Sequence, residues 1–169
     1  ARLTRIGAND MAKITRKTSA QLQHGGAAPY GNVTALYYQV ATNASGAVLE
    51  SDSSAAVASG DVIDLGPIPA GMRLDDVLMT ISTGMTASVT GKLGFVYSDG
   101  VDRTDVPQND AFFGTGYALA AAAVLRKTAT TAPVRLPKEA RLILTTGGAA
   151  NAKASQIDVR LSGELTGPR

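Results

Sequence analysis

Cysteine and tryptophan are absent from the chain, phenylalanine occurs three times and histidine once. Each scarcity excludes something. Without cysteine there is no disulfide framework and no thiolate metal site. That is neutral about compartment, but it excludes a small disulfide-stapled scaffold. The single histidine, His24, leaves a nucleophilic triad or a histidine-based zinc site short of partners. Its plain reading is an exposed polar residue. The longest apolar run, Tyr117 to Leu125, falls well below the roughly 20 residues a spanning helix needs. The N-terminus shows no basic cap followed by an apolar stretch. The expectation is a soluble protein with no membrane partner. A net charge of +2 excludes indiscriminate nucleic-acid binding by the protein as a whole.

What is present is glycine, 18 residues of it, with much alanine, threonine and serine. A chain of 169 residues suits one domain and buries about 70% of its unfolded surface. With so few aromatics the core must be built from Val, Leu, Ile and Ala. That implies modest stability for an isolated monomer, and oligomerisation is a common remedy.

The first 22 residues differ from the rest. They carry Arg2, Arg5, Lys13, Arg16 and Lys17 against Asp10 alone, a net +4, whereas the remainder holds 11 basic and 13 acidic residues, a net −2. Their apolar periodicity is weak, so they have little reason to fold alone. Residues 1–24 therefore read as a basic extended arm. Residues 25–32, opening Gly25-Gly26-Ala27-Ala28-Pro29, read as a hinge, and 33–169 as the folded domain. Polar, unpatterned termini stay ordered only when tied down, by their own domain or by a neighbouring subunit.

From Val33 onward the pattern is strands and turns. Val33–Thr42 places Leu36, Tyr38 and Val40 on one face. Asn43–Gly46 is a turn, Ala47–Glu50 a short return and Ser51–Gly60 a polar loop. Asp61–Val77 reads as a short strand, a rigid Pro/Gly corner and a longer strand. Pro67 and Pro69 fix φ and donate no backbone hydrogen bond, so both are expected outside any central strand. Met72–Ser82 reads as one continuous buried strand, with Val77, Met79 and Ile81 opposite Leu74 and Leu78. Ser88–Ser98, Arg141–Thr146 and Gln156–Leu165 complete the strands. The last is the cleanest, with Ile157, Val159, Leu161 and Leu165 inward and Asp158, Arg160, Ser162 and Glu164 outward. Tyr117–Lys127 is ambiguous: its alanines favour helix, and a strand is equally compatible. The pattern predicts an all-β, two-sheet β-sandwich or jelly-roll-like fold with at most one short helix.

Little catalytic chemistry is in view, and no cofactor is expected. Asp99, Asp102, Asp105 and Asp110 crowd one loop, as calcium ligands do, but the spacing departs from the calcium-loop pattern and Arg103 sits among them. The plain reading is a solvated loop whose Asp and Asn side chains cap turns. Phe112 and Phe113 are expected to anchor it in the core. Gly114-Thr-Gly116 lacks the third glycine of a dinucleotide turn. Asn32-Val33-Thr34 and Asn43-Ala44-Ser45 match glycosylation sequons, a triplet common by chance.

The arm remains. Five cations would neutralise a few phosphates, but no aromatic is there to stack on bases, so nucleic acid is not the expected partner. Arg2, Leu3, Arg5, Ile6, Lys13, Ile14, Arg16, Lys17 and Leu22 instead suit an arm that lies across an acidic neighbouring surface, with the apolar residues as anchors.

The run Asp61-Val-Ile-Asp-Leu-Gly-Pro-Ile-Pro-Ala-Gly71, followed by Leu74 and Val77, resembles a strand–Pro-Ala-Gly–strand pattern of tailed-bacteriophage virion proteins. Phe112-Phe113, Leu142–Ala149 and Ile157–Leu165 look like the closing strands of the same class. The resemblance spans Asp61 to Leu165; the arm has no counterpart in it. Small β-sandwich members of the class include capsid decoration, or cement, proteins. The resemblance therefore implies a place on the capsid surface, a homo-oligomer (a trimer in the usual case), the major capsid protein as partner, and a bridging role between capsomers. Two other readings stay open: a jelly-roll coat protein with its arm toward the genome, and a carbohydrate-binding or adhesin-like module using Tyr30, Tyr37, Tyr38 and Tyr117.

Overall fold

Alternation of apolar and polar residues carries most of the architecture. The computed structural model describes residues 12–16 and 33–165. Among these there is no helix, and the strands in chain order are β1 (Lys13–Thr15), β2 (Val33–Thr42), β3 (Val62–Ile68), β4 (Arg73–Leu74), β5 (Asp76–Thr83), β6 (Thr90–Tyr97), β7 (Asn109–Ala118), β8 (Ala123–Arg126), β9 (Val134–Arg135), β10 (Ala140–Gly147) and β11 (Ser155–Glu164). One sheet runs β1-β3-β10-β6-β7, the second β2-β11-β5-β8, and β4 and β9 form a short ribbon. Every pairing is antiparallel except β1 on β3.

The two sheets share one core. The inward residues Leu142 and Leu144 of β10, Ile157, Val159 and Leu161 of β11, and Leu93 and Phe95 of β6 belong to a single buried cluster. Phe95, Phe112 and Phe113 meet edge to face there, the arrangement aromatic quadrupoles favour. The expected anchoring of Phe112 and Phe113 therefore holds. β10 and β11 are consecutive in sequence, yet each lies inside a different sheet. The C-terminal strands thus complete both layers: β10 joins β3 to β6 and β11 joins β2 to β5, so the long-range pairings that close each sheet form last.

Two local expectations need correction, and one open alternative is resolved. Pro67 lies inside β3, opposite Arg141 of β10. The proline is tolerated there because β1 covers β3 only from Val62 to Asp64. Beyond that point β3 is an edge, where a missing N–H costs little. The register also shifts beside it: Leu142 faces Gly66 and Ile143 faces Asp64, so Leu65 is a bulge residue. Gly66, at φ +149°, takes the backbone angle that this bulge needs. Second, the strand read through Met72–Ser82 is broken at Asp75. Asp75 N donates to Ser162 O, and Arg73 grips both Asp75 and Glu164. The break returns Leu74 to the same core as Val77. Third, Tyr117–Lys127 is strand, break and strand. Pairing of Tyr117 and Ala118 with β6 and of Ala123–Arg126 with Ile81–Leu78 supplies backbone partners on either side of the break and overrides the alanines' weak helix preference.

Candidate functional site

Of the nine arm residues picked out by composition, three are described: Lys13, Ile14 and Arg16. Arg2, Leu3, Arg5, Ile6, Lys17 and Leu22 lie outside the described residues, as do His24, Tyr30, Asn32 and the remainder of the hinge. The three that are described sit together, in a seat built by the domain's own sheet.

The seat is made of backbone and carboxylates. Val62 N donates to Ala12 O at 2.9 Å, and Asp52 N donates to Thr15 O at 3.0 Å. Ala12 N donates to Asp61 Oδ1 at 3.1 Å, and Thr15 N to Asp52 Oδ1 at 3.0 Å. Ile14, opposite Ile63, is 2% exposed and belongs to the core. Lys13 Nζ lies 3.1 Å from Asp64 Oδ2, a carboxylate whose side chain is 2% exposed. Arg141 approaches the same carboxylate with Nε at 3.0 and 3.1 Å and Nη2 at 3.0 Å. Arg16 donates to Gln39 O and sits 3.6 Å from Glu50. A basic strand thus lies on an acidic, sharply shaped groove. A buried carboxylate is tolerated only with such charged, hydrogen-bonded partners.

The apolar knob gives a direct test. Ile14→Ala is expected to cost about 2 kcal/mol, the low end for an Ile→Ala core truncation because an edge strand can lift away. Urea unfolding checks the cost. Amide exchange should rise first at Val62 and Asp52, whose N–H groups depend on the strand.

Nothing in composition singled out Asp52, Asp61, Asp64 or Arg141. One signal was available: an aspartate in the middle of the apolar run Val62–Ile68, because a charge inside a buried strand almost always has a partner.

A second feature is the outer face of the β2-β11-β5-β8 sheet. Arg160 stands between Tyr37 and Leu78, with Arg126 beyond Leu78 and Val124 opposite Thr80. Val33, Tyr37 and Val124 are 80%, 62% and 66% exposed. Arg126 pairs with Asp76 at 3.2 Å, while Arg160 has no ion-pair partner among the described residues. Tyrosine, arginine and aliphatic side chains on one exposed face are the composition of protein-contact surfaces.

The loop carboxylates are individually engaged. Asp99 is held by Lys138 at 2.7 Å, Asp105 by Arg103 at 2.9 Å and Asp110 by Lys92. Asp102 accepts from the backbone of Arg103 and Gln108. Among the described residues no group of three or more ligating side chains converges. The Arg103 hydrogen bond holds Asp105 down at about 2, against an ordinary 3.8. A depressed carboxylate pKa means that the pair's contribution is present above 3.8 and is lost as pH falls toward 2. Arg103→Ala is expected to return the Asp105 midpoint toward 3.8 in a carboxyl-carbon NMR titration; an unmoved midpoint would exclude Arg103 as the cause.

Beside this loop a hollow of about 370 Å³ is lined by Phe95, Val106, Pro107, Phe112 and Val134. Its polar rim is already committed: Asp105 to Arg103, Gln108 to Tyr97 N and Asn109 to Ala111 N. The carbohydrate-module reading loses two of its four tyrosines, since Tyr38 and Tyr117 are buried with their hydroxyls bonded to Pro67 O and Phe113 O; Tyr37 is exposed and Tyr30 lies outside the described residues. Gly114 and Gly116 lie within β7 rather than at a strand-to-helix turn. Asn43 of the second sequon folds its side chain back onto Ser45 and Ala47.

These features define the class: an all-β protein with two packed sheets and a shared core. The chain shares its fold with a protein in the capsid of Ralstonia phage GP4, at a TM-score of 0.63 and 16% identity, over 91% of this chain and 98% of that one. It shares it also with a protein of the Cyanophage Pam1 capsid asymmetric unit, at a TM-score of 0.58 and 13% identity, over 86% and 94%. At these identities the likeness is one of fold. No protein-family model and no curated protein matches the chain.

Proposed function

We propose that the chain is a non-enzymatic structural protein of a phage virion that decorates the capsid surface and stabilises it by bridging neighbouring capsomers. The observation that carries this reading is the near end-to-end match to chains of two phage capsids. The match takes in almost the whole of each neighbour rather than a shared subdomain. The chemistry is consistent with it, because the loop carboxylates serve turns and surface ion pairs and none lines an open cleft beside a free acid or base.

Decoration is favoured over a coat protein with its arm on the genome by the seat. Lys13 and Arg16 are already spent on Asp64 and Glu50, so they are poorly placed to neutralise phosphate. The exposed face around Val33, Tyr37, Val124 and Arg160 supplies contact area for the coat protein instead. A stable interface of this kind buries about 1,200–2,000 Å², repeated over every lattice position.

The experiment is reconstitution on shells of the virion stripped of this chain. Saturable binding and a raised shell-disruption temperature are expected, with affinity changing little between low and moderate salt. Phosphate-driven binding would instead fall by orders of magnitude over that range. Val124→Asp and Arg160→Glu should abolish shell binding while leaving the fold intact, as circular dichroism would report. Shells that ignore the wild-type protein would overturn the proposal.

A further inference from the structure

We propose that β1 is an exchangeable strand: in the assembled protein, Ala12–Arg16 of one copy fills the seat of a second copy of this chain. The seat is specific for this segment. It offers a slot for one aliphatic side chain at Ile14, a buried carboxylate for Lys13, an acidic rim at Glu50 for Arg16, and backbone and carboxylate partners for Ala12 and Thr15. Ala12–Arg16 satisfies that combination, whether it comes from the same chain or from another. If it is withdrawn, Ile63 keeps its partner on β10 but loses Ile14 on its other side, and Asp64 loses a cation, so an assembly has reason to keep every seat full.

The length of chain between the arm and the domain permits a second copy. Sixteen residues separate Arg16 from Val33, and fully extended they span about 55 Å. The distance to be covered within one chain is much shorter. The Arg16 guanidinium already touches Gln39 O, and Gln39 is six residues, roughly 20 Å of strand, from Val33. The connector is therefore long enough to reach the same seat on a neighbour. Exchange replaces each contact with an identical one, so the contacts themselves cost nothing. The balance is set by connector entropy and by the local concentration of copies, which is high wherever copies sit side by side. The consequence is a closed ring of protomers held by strand addition, with no new interface chemistry required.

The absence of native cysteine makes the test clean. Lys13 and Val62 are register partners across β1 and β3. Full-length Lys13→Cys and Val62→Cys single variants are unfolded together, refolded as a mixture and oxidised. A disulfide between those two positions can then form only between chains. The expected result is a covalent species of twice the chain mass, linked between position 13 of one chain and position 62 of the other, identified by peptide mass spectrometry. The double variant should likewise give linked rings rather than closed monomers. Arg16→Cys mixed with Ser51→Cys, at the bridge on the other end of the seat, repeats the test should the first variants fold poorly. Absence of a mixed pair, together with intramolecular closure of the double variant at every concentration, would overturn the proposal. The measurement involves no shell, so arm exchange and capsid binding stand or fall separately.

Discussion

Alanine at Gly163 is expected to destabilise the protein by about 3 kcal/mol, the upper part of the usual range for overpacking a core. A methyl group there would sit 1.7 Å from Arg73 O and 2.9 Å from Arg73 C. Both are backbone atoms and cannot rotate away. Gly163 lies on β11 where β4 crosses it, and that crossing is pinned on both sides. Asp75 N donates to Ser162 O, Met72 bridges to Leu165, and Arg73 holds Asp75 and Glu164 at 2.6 Å each. To admit one carbon, the ribbon must shift and the Arg73 pairs must stretch. The melting temperature should fall by roughly 6–12 °C for a domain of this size. Gly91→Ala is the control, because its new carbon would meet only the Cδ1 tips of Leu119 and Leu144 at 2.9 Å. Flexible tips yield, so that variant should lose under about 1.5 kcal/mol. Equal losses for the two variants would show that the backbone approach at Gly163 is not what makes glycine necessary.

Arg141→Ala should cost about as much, around 3 kcal/mol, for an electrostatic reason. Asp64 is 2% exposed at its side chain, and Arg141 is the cation that meets both of its oxygens. Without Arg141 the carboxylate keeps, among the described residues, only the cation of Lys13, whose side chain is 54% exposed and shares its charge with solvent. Removing one partner of a buried pair leaves the desolvation penalty in place and takes away its compensation. Replacing both groups with apolar ones, Asp64→Leu with Arg141→Met, should therefore lose less than Arg141→Ala alone. Denaturant unfolding of the two variants decides the matter. If the double variant were the less stable, Asp64 would be acting through something other than its charge pair. In Arg141→Ala the amides of Val62 and Asp52 should also exchange faster, because the same carboxylate anchors β1.

Much of the fold was legible in the chain. Val33–Thr42 and Gln156–Leu165 alternate so regularly that their inward faces, Leu36-Tyr38-Val40 and Ile157-Val159-Leu161, are the buried ones. Where reading failed, the cause was tertiary. Pro67 argued against a strand on local grounds, yet it is a strand residue because β1 stops short of it. Met72–Ser82 looked continuous because every apolar residue has a place, and the break at Asp75 exists only because β11 passes beneath. The alanines after Tyr117 carry no periodic signal, so their partners settle the conformation: Ala118 pairs on β6 and Ala123 on β5, with 119–122 in the break between them.

The candidate site divides the same way. Charge asymmetry set the first residues apart from the rest of the chain, and Lys13, Ile14 and Arg16 were among the cations and apolar residues it picked out. The groove that receives them was not. Its acids come from Glu50, Asp52, Asp61 and Asp64, scattered among loop and strand, with Arg141 far along the chain.

The amino-acid order by itself determined that this protein is all-β and that its core is mainly aliphatic, with its three phenylalanines gathered into it. Those properties follow from side-chain period and composition, which are local. Only the tertiary structure decided which backbone meets which: the crossing over Gly163, the charge pair at Asp64, and the seat that turns a basic segment into a strand. Those depend on residues distant in sequence arriving within a few ångströms, and no local pattern encodes that meeting.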